Sequence, residues 1–155
     1  MLTASILSTM HLFALAIGLP GIFLRARWLG AVQKDPAALA GVFRADNAWG
    51  IAAALWLVTG LARAFGPFEK GEAFYLHSGA FWLKMTLFAL VVALEVWPMI
   101  TLIKWRRAQA KKLPIDLSIA PKLQLVSRIE LALTCAMPFV ASAMARGVGF
   151  GWSPL

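Results

Sequence analysis

Two ionisable side chains, Lys84 and Glu95, stand inside a stretch that is otherwise apolar or nearly so, residues 80–103. The stretch is long enough to cross a bilayer, which takes ~20 apolar residues at ~1.5 Å each. A lysine near the hydrocarbon centre costs at least ~2.5 kcal/mol on insertion scales, so Lys84 is expected to face protein, water or a ligand. Eleven residues separate it from Glu95, about three helical turns, which places both on one helix face. His11 lies in a second apolar stretch, about as deep below one membrane surface as Lys84. The two are expected to meet across a bundle and line one cavity. His77, Arg63 and Arg146 fall near the same rim.

That set suits haem b. Histidine is the common axial ligand of haem iron, and His11 is the candidate metal ligand. Lys84 is a second cofactor ligand or a catalytic cation. Arg63 and Arg146 are placed to hold anionic propionates, with His77 close by. The plainer alternative has His11 bonding a neighbouring helix and the arginines reaching to lipid headgroups.

A second group, Arg44, Asp46, Glu95, Glu130 and Arg128, gathers toward the opposite half. Its plain reading is ion pairing between helices, with Glu95 expected to pair with Arg44 or Arg128. Its sharper reading is a proton path, because acids inside membranes often mark relays. With two histidines and one cysteine, a dedicated protein metal site has little support. No phosphate loop or nucleophile elbow is present. Cys135 reads as a small buried core residue.

The elements that must position these groups follow from composition. The 155 residues are 61% hydrophobic and 14% charged, against ~25% charged in a typical soluble domain. The chain is therefore a single all-α, integral-membrane domain. Four spans are expected, roughly 6–24, 47–64, 80–103 and 129–150, as an antiparallel bundle. The first is read as a retained span rather than a signal peptide, since it lacks a basic leading region. Arg25 and Arg27 are expected to stop it. Asp35-Pro36 reads as a helix start, Gly66-Pro67 as a break, Ser78 as an N-cap and Pro121 as the opening of the last helix.

The net charge of +8 does not imply nucleic acid, because the basic residues sit in loops beside apolar spans. Arg25, Arg27, Lys34, Arg44, Lys104, Arg106, Arg107, Lys111, Lys112, Lys122 and Arg128 fall on one side. Arg63, Lys70 and Arg146 fall on the other. Basic loops stay inside, so both termini are expected on the non-cytoplasmic face of a bacterial inner membrane.

Two resemblances add to this. Phe43-Arg44-Ala45-Asp46-Asn47 with Trp49-Gly50, Thr59-Gly60-Leu61 with Arg63, and Tyr75-Leu76-His77 resemble a bacterial membrane family, domain of unknown function 2214. Phe81-Trp82 with Lys84-Met85, and Glu95 with Pro98-Met99, extend the likeness to nearly the whole chain. More distantly, His11, Leu19-Pro20 with Arg25, and Leu83-Lys84-Met85 resemble HemJ-type protoporphyrinogen IX oxidases and CopD-like copper-resistance proteins. In the HemJ type the corresponding histidine and lysine are essential and haem b is bound. The histidine-rich end of their third span is replaced here by Glu95 and Trp97. The likeness implies a b-haem redox protein linked to a quinone or a porphyrinogen. A non-enzymatic accessory subunit, packed on a larger complex or on its own copies, and a small transporter coupling Lys84 to Glu95 are the alternative functions.

Overall fold

The computed structural model describes residues 2–66 and 78–146. Helix α1 spans Leu2–Ala31, α2 Leu39–Phe65, α3 Gly79–Ala110 and α4 Ala120–Ala145. No strand occurs among the described residues. Three of the helices, α1, α3 and α4, are long and apolar enough to cross a membrane. The 27-residue α2 has the length but dilutes its apolar run with Arg44, Asp46, Asn47 and Arg63.

Local signals set the ends. Asp35 accepts a hydrogen bond from Ala37 N–H and caps a 3-10 turn, Pro36–Ala38, that leads into α2. Ser78 caps α3 by accepting from Phe81 N–H. Gly66 closes α2, and proline stands in the first turn of α4. Helices α1, α3 and α4 run on through Pro20, Pro98 and Pro138. Neighbouring helices and local adjustment make such interruptions tolerable in membrane spans.

Arg25 and Arg27 do not stop α1. The helix continues past them to Ala31, and Arg25 is fully buried. Its face is set by small residues. A Cβ on Gly21 would lie 3.0 Å from Trp49 N, and one on Gly18 would lie 3.2 Å from Ala52 Cβ. Only glycine lets α1 approach α2 this closely, the usual device for packing membrane helices. α1 packs along α2 and along α4, and α3 packs along α4. α2 and α3 make no comparable contact among the described residues. Side chains bridge them instead at one end, and a cavity lined by both helices lies at the other.

The core divides in the same way. At the end holding the α1–α2 and α3–α4 connections, Leu29, Val42, Phe43, Leu102, Trp105 and Leu123 pack together. Nearer the middle, Ile22, Trp49, Val91 and Met137 form a second cluster. Large apolar side chains face outward along the helices, among them Phe13, Val58, Trp82 and Phe139. A soluble protein rarely exposes so much contiguous apolar surface, whereas lipid accepts it. Cys135 joins this outer face. It is exposed, which corrects its expected place in the core, because it follows Thr134 around the helix and away from the bundle axis.

Candidate functional site: a slot and a buried charge cluster

His11 of α1, Lys84 of α3 and Arg63 of α2 line one cavity. Most of its wall comes from α2 and α3. α2 contributes Trp56, Leu57, Gly60, Leu61 and Phe65, and α3 contributes Phe81, Met85 and Phe88. Met137 and Met144 of α4 complete it. The slot holds about 120 Å³ of free space. An apolar cavity of about 150 Å³ takes a benzene ring, so this one suits a single six-membered ring or several waters.

The His11 ring is fixed in one orientation. Its Nδ1 lies 2.8 Å from Thr59 Oγ1. The Thr59 hydroxyl lies 2.6 Å from the Leu55 carbonyl, with the Trp56 carbonyl at 3.3 Å. A hydroxyl has one proton to donate, and here it goes to the backbone. The Thr59 oxygen therefore accepts from His11 Nδ1–H. In the neutral ring the lone pair then sits on Nε2, the tautomer that metal-binding histidines adopt when their other nitrogen is held by a second group. The Trp56 ring lies 5.6 Å from the His11 ring, tilted by 37°. Trp56 Nε1 is buried and has no hydrogen-bond partner among the described residues, although it belongs to a residue of the slot wall.

Not every expected member is present. Arg146 is exposed at the end of α4 and is not part of the slot wall, where Met144 stands instead. The helix turns its C-terminal arginine outward before the slot closes. His77 lies outside the described residues. Lys84 and Glu95 share a helix face but occupy separate sites, about three turns apart, so they are not a contact pair.

Glu95 belongs to the second site, and its partner is Arg25 rather than Arg44 or Arg128. All five guanidinium N–H donors of Arg25 are used. Nε donates to Ser127 Oγ at 3.1 Å, and Nη1 to Asp46 Oδ1 at 3.1 Å and Glu95 Oε1 at 2.7 Å. Nη2 donates to Glu95 Oε2 and Glu130 Oε2, each at 2.7 Å. Trp49 Nε1 adds a bond to Glu95 Oε2 at 2.9 Å. Arg106 donates to the other Asp46 oxygen and to the Phe43 carbonyl, both at 2.9 Å, while its guanidinium lies over the Phe43 ring. All four helices meet at this one arginine. Burial is acceptable because each charge is paired and its donors are saturated. Arg44 and Arg128 are exposed on the outer faces of their helices. They cannot reach the cluster, and Arg44 Nε turns back to the Ala40 carbonyl at 3.4 Å. Asp46, Glu95 and Glu130 do come together there.

An apolar-surfaced helical protein with a largely apolar slot and a buried ionic cross-tie is an integral-membrane protein. The chain matches the family described as "Predicted membrane protein (DUF2214)" over residues 3–149, and it belongs to that family. No curated protein and no solved structure matches it.

Proposed function

We propose that the slot binds a lipid-soluble ring carrying oxygen acceptors, a quinone, and that the protein is a quinone-linked redox component of the bacterial inner membrane. In this arrangement the four helices are four antiparallel spans with both termini on the non-cytoplasmic face. The excess of Lys and Arg in the two loops beside the charge cluster supports that orientation.

The observation that carries the proposal is the slot itself, a largely apolar cavity of about 120 Å³ lined by His11, Trp56, Arg63 and Lys84. The free volume matches one ring. Lys84 and Arg63 supply positive charge toward a second ring oxygen, and Lys84 is the group placed to give that oxygen a proton.

A specific observation favours a second reading, haem b. His11 lines the slot with its Nδ1 held by Thr59, and histidine is a common axial ligand of haem iron. His11 would hold the iron, and Arg63 and Lys84 would face the propionates. When bound, haem would supply one-electron chemistry. The donor set fits this group, while the free volume is that of a single small ring.

Purification in mild detergent, followed by an absorption spectrum and organic extraction, tests both. Extracted quinone without Soret absorption supports the first reading. A Soret band lost in His11→Ala supports the second. A protein that yields neither, and binds neither when they are added, overturns both.

A further inference from the structure

The charge cluster is one proton short of neutrality. Arg25 and Arg106 carry two positive charges, against three negative ones on Asp46, Glu95 and Glu130. Glu130 is fully buried, with one oxygen on Arg25 and the other, Oε1, without a hydrogen-bond partner among the described residues. One turn further along α4, Thr134 is 1% exposed and its Oγ1 also lacks a partner. Such atoms are rare in folded proteins, and the ordinary explanation is water.

The unpaired atoms lie in order along the axis. Glu130, Thr134 and Met137 follow a spacing of four and three residues, so they share the inward face of α4. Glu130 sits in the cluster and Met137 in the slot wall. On α2, Trp49 bonds Glu95 in the cluster, and Trp56, seven residues on, lines the slot. On both helices the two sites are thus about 10 Å apart. Thr134 is the polar group in between.

We propose that Glu130 exchanges a proton with the slot through water held by Thr134. Glu130 Oε1 takes a proton from a hydrogen-bonded water, that water is reprotonated from its neighbour on the Thr134 hydroxyl, and the neighbour takes a proton from water in the slot, which is left as hydroxide. One O–H bond forms for each that breaks, and no electrons move. Bound protons neutralise the cluster, and released protons appear at the slot. The charged groups facing Glu130 are Arg25 from α1, Asp46 from α2 through Arg25, and Glu95 from α3. Arg106 acts on it through Asp46. The path stands whatever ring occupies the slot.

Infrared difference spectroscopy on the whole protein in lipid vesicles tests this. A pH-dependent carboxyl C=O band is expected, shifting in heavy water and absent from Glu130→Gln. Thr134→Val keeps the side-chain shape and removes the hydroxyl. It should retain the band while slowing its hydrogen–deuterium exchange several-fold. If Glu130→Gln does not fold, the exchange rate in Thr134→Val decides alone. The proposal is overturned by the absence of a pH-dependent band, by a band unchanged in Glu130→Gln, or by exchange in Thr134→Val as fast as in the parent.

Discussion

Arg25 grips Glu95 with two parallel bonds, Nη1 to Oε1 and Nη2 to Oε2, each 2.7 Å long. These two residues tie α1 to α3, which do not otherwise pack as neighbours. Fork-to-fork pairing of this kind is geometrically specific as well as strong.

Arg25→Met should therefore be severely destabilising. It leaves Asp46, Glu95 and Glu130 without their shared cation, and breaking a buried ion pair from one side costs about 3–5 kcal/mol. Arg25→Lys should not restore stability, because an ammonium has three donors where the guanidinium uses five. Glu95→Gln keeps a polar group beside Trp49 and should cost less, nearer the ~0.6 kcal/mol average for polar contacts between membrane helices. Unfolding in detergent with increasing denaturant measures all three. Equal stability of Arg25→Met and the parent would remove the cluster from any structural role.

Gly21→Val should separate α1 from α2. The added Cβ would lie 3.0 Å from a backbone nitrogen that cannot rotate aside. Overpacking of this kind costs about 1–3 kcal/mol. Gly50, where a Cβ meets nothing within 4 Å, should accept alanine with little change. Paired thermal melts of Gly21→Val and Gly50→Ala check the contrast.

Membrane orientation rests on the basic loops. A reporter fused at Lys111 should read as cytoplasmic and one at Lys70 as non-cytoplasmic. The reverse result would invert which side the charge cluster faces.

The slot was legible in the sequence because its polar members are costly in hydrocarbon. His11 and Lys84 stand out at matching depths in two apolar segments, and Arg63 stands at the rim above them. Thr59 and Trp56 did not stand out, since a threonine or tryptophan in a membrane helix is ordinary until its partners are known. Arg25 was misplaced for a physical reason. An arginine after an apolar run usually marks the membrane boundary, and nothing in hydropathy separates a boundary arginine from a buried one. The signal that could have found it is the spacing Gly18, Ile22, Arg25, Leu29, which puts Arg25 on the packed face of α1. With Arg25 at a boundary, Arg44 and Arg128 are the candidate partners for Glu95 by sequence, although both lie on outward faces.

Thr59→Val should loosen the His11 ring without removing it. Second partners of this kind typically contribute 10–100-fold to the affinity of the group they orient. Ligand titrations of Thr59→Val and the parent protein should differ by about that factor if His11 holds the ligand, as haem b requires. If the ring ligand relies on Trp56 and Lys84 alone, the two titrations should coincide.

Quenching of tryptophan fluorescence by a short-chain quinone tests the slot most directly. The account predicts saturable quenching in the parent protein, strongly reduced in Trp56→Phe and weakened in Lys84→Met. Quenching that rises linearly without saturation, or that saturates identically in both variants, would contradict it.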